Sequence, residues 1–229
     1  MRQEYATTTQ RDRWGVRLIG SPSDIQRIAT ELGPVGLSVQ LDDGALKIEP
    51  MSSVSAQHAT EWKGYEFARL VWAAACLRFG INPIGLVPVE DAEMGPPSDA
   101  TISTDEPTLS QILRIADESG HIRKALLSYA ASGAAGLFDA YEAICEEIIS
   151  RGLPDYASGC GTKEWLVLQA WIAEDEDDRF LTTVLHFRQD DSHGLTFHPF
   201  SPYEAEVFVR KVLIHLIEYC STTTKAPNA

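Results

Sequence analysis

The sequence predicts an α+β fold in two parts, a small mixed half followed by a mostly helical half. Three observations carry this prediction. Short extended patterns alternate with helical patterns over residues 14–89, a polar stretch with two adjacent prolines follows, and helical apolar spacing dominates the remainder. The chain has 229 residues, of which 44% are hydrophobic and 23% charged. This composition is typical of a globular protein, and the length suits one large domain or two small ones.

The first half contains six predicted elements. An Asp-Asp-Gly turn joins two alternating runs, which indicates a β-hairpin. Ser21 and Pro22 are a typical N-cap and first position for one helix, and Gly80 ends a second, longer helix. The predicted elements in order are strand 14–19, helix 21–32, strands 35–41 and 45–49, helix 54–79 and strand 84–89. This β-α-β-β-α-β order is the split βαβ pattern, so we predict a ferredoxin-like domain over residues 1–92.

The second half is predicted to be a helical bundle. Its clearest helix start combines Ser201, Pro202 and Glu204, a capping serine, an N1 proline and a capping-box glutamate. A broad apolar face follows, from Val207 to Tyr219. The other predicted helices cover residues 108–118, 121–131, 136–151, 162–173 and 178–187. We therefore predict a linker over residues 93–106, a bundle over residues 107–220 and a disordered tail over residues 221–229.

The charge of the chain is strongly negative. Lysine and arginine number 19 against 33 aspartates and glutamates, which gives a net charge of −14. Residues 101–229 alone carry 10 basic and 20 acidic side chains. Because phosphate backbones and anionic lipids attract basic proteins, this balance disfavours general binding to nucleic acid or membrane. Motifs for nucleotide hydrolysis, dinucleotide binding and serine hydrolysis are absent from the sequence, and no cofactor is predicted.

The cysteines and the N-terminal residues bear on localisation. The four cysteines, Cys76, Cys145, Cys160 and Cys220, form no C-x-x-C pair, and two of them stand among apolar residues with helical spacing. This usage suits a reducing compartment better than a disulfide framework. Residues 1–13 lack the apolar core of a signal peptide, and no apolar run is long enough to span a bilayer. We expect a cytoplasmic protein.

One stretch of the helical half resembles a catalytic signature. Arg188 is followed five residues later by His193 and then by Gly194. An Arg-x4-His sequence in a helical context resembles the HEPN superfamily, whose ribonuclease members carry Arg-x4–6-His. The resemblance implies metal-independent RNA cleavage across a homodimer. Arg188 would neutralise the scissile phosphate, and His193 would move the proton of the attacking 2′-hydroxyl.

Plainer interpretations of the same residues stay open. Arg188 can pair with a nearby aspartate while His193 caps a turn, and Gly194 interrupts a helix there. A divalent-metal site built from His186, Asp190, Asp191, His193 and His198 is a weaker alternative, because local clustering does not establish closed coordination. We predict no metal. The acidic run at residues 174–178 reads as a solvated loop, or as a docking surface for a basic partner.

The chain as a whole resembles a family of uncharacterised bacterial two-domain proteins. The likeness rests on the two-part pattern and on two helices of the second half, which begin near His121 and Leu137. The family supplies no activity. The sequence therefore predicts a non-catalytic interaction or regulatory protein, in which the acidic helical half or the open sheet face binds another protein. The alternative is a dimeric HEPN-type ribonuclease, of a toxin or phage-defence kind, that uses Arg188 and His193.

Overall fold

The computed structural model divides the chain into two compact units, Met1–Thr101 and Ile102–Ala229. The residues described are 16–19, 22–32, 37–42, 45–50, 61–80, 85–86, 106–131, 133–188 and 199–223.

The first unit contains two helices, α1 (Pro22–Leu32) and α2 (Glu61–Phe79). The side chains buried on α1 recur every three or four residues, at Ile25, Ile28 and Leu32, so they form one apolar stripe. The second half of α2 is almost wholly buried, from Leu70 to Phe79. The Nε and Nη2 atoms of Arg78 both donate to Glu31 Oε1, each at 3.3 Å, which ties α2 to α1.

Four short strands, whose side chains are not described, accompany these helices. They are β1 (Val16–Ile19), β2 (Leu37–Asp42), β3 (Ala45–Pro50) and β4 (Gly85–Leu86). The strands lie in the order β2-β3-β1-β4, and every neighbouring pair is antiparallel. The register places Val16 opposite Ile48 and Leu18 opposite Leu86.

The fold class predicted from the sequence, α+β with a ferredoxin-like domain, is corrected here to a mainly helical fold. The part of the chain whose side chains the structure describes is 81% helical and contains no strand. A ferredoxin-like domain, with a sheet packed face-on against two helices, is therefore not seen in it. The reason is physical. Period-two alternation predicts where backbone can pair, whereas a domain core requires packed side chains, and the described core lies on helices.

The second unit is a bundle of helices, and the helical prediction for this half is confirmed. Its helices are α3 (Leu109–Glu118), α4 (Gly120–Ala130), α5 (Gly133–Ser150), α6 (Thr162–Leu168), α7 (Glu176–Arg188) and α8 (Pro202–Thr223), with a 3₁₀ turn at Tyr156–Ser158. Five of the six α-helices begin within three residues of the predicted start and α8 begins at its predicted N1 proline. The main difference is α6, which ends at Leu168 instead of reaching residue 173.

The helix starts are fixed by side-chain caps. At α8 the Ser201 N–H donates to Glu204 Oε2 at 2.7 Å, and the Glu204 N–H donates to Ser201 Oγ at 3.3 Å. This reciprocal pair is the predicted capping box. Thr108 and Gln111 form the same arrangement at α3. Such caps satisfy backbone donors that a helix leaves free at its first turn.

Helix α8 is the central element of the second unit. It contacts α3, α4, α5 and α7, and it buries nine side chains, among them Phe208, Val212 and Leu216. Helices α4 and α5 pack closely at Gly136, where a Cβ would lie 2.6 Å from the carbonyl oxygen of Ser128. A glycine is required at this crossing because any side chain would collide with backbone.

The buried carboxylate of Glu147 links α5 to the junction of α3 and α4. Glu147 on α5 is 3% exposed. Its carboxylate accepts from Ser119 Oγ at 2.7 Å, at the junction of α3 and α4, and from Arg151 Nε at 2.6 Å. Both partners compensate the loss of hydration that burial imposes on a carboxylate.

In the part of the chain that the structure describes, no helix is long and apolar enough to cross a membrane.

Candidate functional site

The described part of the second unit contains an apolar groove with a volume of about 410 Å³. It lies between the N-terminal ends of α5 and α8 and the middle of α7, and we call it the α5–α7–α8 groove. Its lining consists of Gly133, Ala134, Leu137, Phe180, Thr183, Pro202, Tyr203, Ala205 and Glu206. Apolar concavities with a few polar groups are the usual form of a binding site.

The floor of the groove rests on a packed aromatic cluster. Phe180 is fully buried and stacks on Phe208, with ring centroids 5.0 Å apart. Tyr141 meets Phe180 edge-on at 5.0 Å, and Phe200 lies 5.6 Å from Phe208. Thr183 keeps its hydroxyl satisfied by donating to two backbone carbonyls, those of Arg179 and Phe200. A floor held on several sides in this way is preformed, so a ligand need not organise it.

The rim of the groove, in contrast, is exposed. The Tyr203 side chain is 74% exposed and lines the groove one helical turn before Val207, which is 45% exposed. Residues four apart on a helix lie on the same face, so these two form an apolar strip beside the groove. Large apolar side chains in solvent next to a concavity are typical of a protein-binding surface.

Behind the floor lies a buried polar contact. The Tyr141 hydroxyl donates to Asp177 Oδ1 at 2.5 Å, which joins α5 to the first turn of α7. Burial raises the pKa of Asp177, and the hydrogen bond from Tyr141 opposes that rise. Burial also raises the pKa of Tyr141 far above neutrality, so its hydroxyl stays protonated and remains the donor. The contact therefore links α5 to α7, and it does not transfer a proton at neutral pH.

Two thiols of the helical unit have raised pKa values. Burial raises the pKa of Cys145 to about 12 and that of Cys220 to about 11. Because the thiolate is the nucleophile, both remain unreactive thiols at neutral pH. None of the four cysteines forms a disulfide.

Basic side chains of this unit are engaged with carboxylates. All eight lysines and arginines with described side chains between residues 106 and 223 form ion pairs: Arg114, Arg123, Lys124, Arg151, Lys163, Arg179, Arg210 and Lys211. Several pairs are short, such as Lys163 to Asp178 at 2.6 Å and Lys211 to Glu176 at 2.7 Å. This described surface offers a phosphate no unengaged cation.

Some carboxylates, in contrast, have no such partner. Asp139, Glu142, Glu174 and Glu206 form no ion pair or hydrogen bond with any described residue. Of these, Glu206 lines the groove. The neighbouring Glu204 differs, because it caps α8 and lies 3.8 Å from Arg179. Among the residues that line the groove, Glu206 is thus the carboxylate with which no described cation pairs.

A second, more open groove of about 470 Å³ lies along α6. Its lining includes Cys160, Lys163, Glu164 and Leu168, and the Leu168 side chain is 73% exposed. Its charged groups are used within the chain, since Lys163 pairs with Asp178 and Glu164 accepts from the Gly161 N–H at 3.0 Å. The α5–α7–α8 groove is the stronger candidate because its lining is mainly apolar.

The residues of the HEPN-like signature fall at and beyond the end of α7. Arg188 is the last residue of that helix, and its side chain is not described. His193 lies outside the described residues. The convergence of Arg188 and His193 on one phosphate therefore stays a prediction.

The residues considered for a metal site also lie near or beyond the end of α7. The side chain of His186 is not described, and Asp190, Asp191 and His198 lie outside the described residues. Within the described part of the chain, no group of three or more histidine, cysteine, aspartate or glutamate side chains could hold a metal ion.

The acidic run at residues 174–178 is only in part the predicted solvated loop, because Glu174 and Asp175 lie exposed in a turn while the other three residues begin α7. Glu176 begins α7, where its Oε2 accepts from the Ala173 N–H at 2.7 Å and pairs with Lys211. Asp177 is buried, and Asp178 pairs with Lys163. Carboxylates are favoured in the first turn of a helix, where unpaired N–H groups and the helix dipole are positive. Glu176, Asp177 and Asp178 therefore fix the start of α7 against the rest of the bundle.

The sequence did not identify the groove residues. Val207 was assigned to the apolar face that packs inward, yet it lies partly in solvent. One signal was present, since the apolar face of α8 is wider than the single stripe that one packing interface can cover. No protein-family model, curated protein or solved structure matches the chain.

The raised pKa of Asp177 leads to a testable pH dependence. Between the ordinary pKa of an aspartate and the raised value, the folded protein holds a proton that the unfolded chain has lost. The contribution of Asp177 to stability therefore falls as pH rises through this window. Asp177→Asn cannot ionise and can still accept from Tyr141. We expect the unfolding free energy of this variant, relative to the unmodified protein, to rise between about pH 3 and pH 7.

Hydrogen exchange of the α5 and α7 amides, measured across this pH range, checks the expectation. Asp139→Asn is the control, because it removes the same charge from a half-buried position that has no described partner. A relative stability of Asp177→Asn that falls with pH would contradict the assignment.

Proposed function

We propose that the protein is a non-catalytic binding module whose helical unit docks a segment of another protein in the α5–α7–α8 groove. The observation that carries the proposal is the preformed apolar groove beside an exposed tyrosine, Tyr203. Tyrosine supplies a large contact area at low entropic cost and is enriched among residues that dominate binding energy. An apolar anchor of the partner would fill the groove, and Tyr203 would close over it.

The surrounding chemistry supports binding over bond cleavage. The Tyr141 hydroxyl and the Cys145 thiol near the floor both stay protonated at neutral pH, because burial raises the pKa of each. Neither group is therefore activated as a nucleophile. The ion-paired state of the described cations favours a protein partner over an RNA substrate.

The test is a selection from a displayed library of random peptides against the full-length protein. Ala134→Phe places a bulky ring in the groove, and Ala135→Phe places the same ring on the exposed neighbouring position of α5. We expect enriched peptides to bind the unmodified protein and Ala135→Phe equally and to lose affinity at least tenfold for Ala134→Phe. Tyr203→Ala is expected to cost about 1–2 kcal/mol of binding free energy.

Two results would overturn the proposal. One is the absence of any enriched peptide, and the other is equal binding of the enriched peptides to both phenylalanine variants. Far-UV circular dichroism of each variant establishes that the helical unit is intact before affinities are compared.

A further inference from the structure

We infer that the occupant of the α5–α7–α8 groove is a basic protein segment, in which an apolar or aromatic anchor is followed by a lysine or arginine that pairs with Glu206. The inference rests on the proposed function and adds the chemistry of the partner. It is carried by the position of one carboxylate, that of Glu206, in the lining of the groove.

Glu206 is the charged side chain in a mainly apolar lining. It forms no ion pair or hydrogen bond with any described residue. The first turn of α8 does not use it either, because Glu204 already accepts from the Ser201 N–H and forms the capping box. A cation brought by a ligand would therefore meet a carboxylate for which no described cation competes.

The wider surface favours the same sign of partner. Residues 101–229 carry ten more acidic than basic side chains, and the described cations among them are already paired. A partner of opposite charge is attracted over a distance and binds faster, whereas an acidic partner is repelled. The exposed Tyr203 ring adds a face on which a lysine or arginine side chain can lie.

The experiment compares two charge reversals that change the net charge of the chain equally. Glu206→Lys reverses the groove carboxylate, and Glu142→Lys reverses an exposed carboxylate of α5 that does not line the groove. The probe is the most enriched peptide from the random library, together with a version in which its basic residues are replaced by glutamate. Affinities are measured at about 50 and 300 mM salt.

We expect an excess of lysine and arginine in the enriched peptides. Glu206→Lys should weaken the basic peptide about five- to tenfold at low salt, and Glu142→Lys should change its affinity less than twofold. The glutamate version should bind Glu206→Lys better than it binds the unmodified protein.

The outcomes separate this inference from the proposed function. Enriched peptides without basic residues, or equal effects of the two reversals, overturn the basic partner while the groove still binds if Ala134→Phe abolishes affinity. If Ala134→Phe does not change the affinity of the enriched peptides, the α5–α7–α8 groove is not their binding site.

Discussion

Replacing Phe208 with alanine is expected to lower the unfolding free energy of the helical unit by about 3–5 kcal/mol. Phe208 is 2% exposed on α8 and contacts the rings of Tyr141, Phe180 and Phe200. Its removal leaves a cavity in the middle of this cluster, because the neighbouring rings belong to three separate segments that cannot collapse together. The floor of the α5–α7–α8 groove would lose its support at the same time.

Val207→Ala is the matched control, since it truncates the adjacent, partly exposed side chain of the same helix. It should change stability by no more than about 0.5 kcal/mol. Hydrogen exchange of the α5, α7 and α8 amides measures the unfolding free energy of the helical unit in both variants, within the full chain. A cost of Phe208→Ala below about 1 kcal/mol would mean that the aromatic cluster is not packed as described.

Replacing Tyr141 with phenylalanine is expected to cost about 1–3 kcal/mol, because it leaves the buried Asp177 carboxylate without its donor. The hydrogen bond from Tyr141 lowers the pKa of Asp177, so its removal should raise that pKa further. The bond favours the charged carboxylate, and the cost of Tyr141→Phe should therefore be larger near pH 7 than near pH 4.

Tyr156→Phe is the control for this second variant, because it removes a hydroxyl that makes an exposed contact with Thr162. Exposed hydrogen bonds exchange readily with water, so the expected change is within about 0.5 kcal/mol at either pH. Equal costs of Tyr141→Phe at the two pH values would contradict the pairing with a charged Asp177.

Local patterns of the helical half could be predicted because they depend on neighbours in the sequence. The capping box of Ser201 and Glu204 spans three residues, and the start of α3 after Thr108 follows the same rule. The end of α6 could not be predicted in this way. The chain leaves the helix in a turn at Ala170, whose φ is 57°, yet Ile172 beyond this turn is buried and Trp171 packs against Tyr219. The apolar pattern therefore continued past the end of the helix because these residues still pack in the bundle.

The groove and the buried contact behind it depend on long-range packing. Tyr141 and Asp177 are 36 residues apart, and nothing in the sequence around either residue specifies that they meet. Asp177 stands within an acidic run, where a solvated position is the usual expectation. In the first half, alternating residues predicted extended segments, but alternation alone could not establish the side-chain packing that a ferredoxin-like domain requires.

The central place of α8 has a consequence for synthesis of the chain. Helices α3, α4, α5 and α7 all contact it, and it follows all of them in the sequence. While the ribosome is still translating α8, the earlier helices hold apolar faces for which no partner has yet emerged. Transiently exposed apolar surface favours aggregation, so chaperones that shield such surface would act mainly before α8 leaves the ribosome.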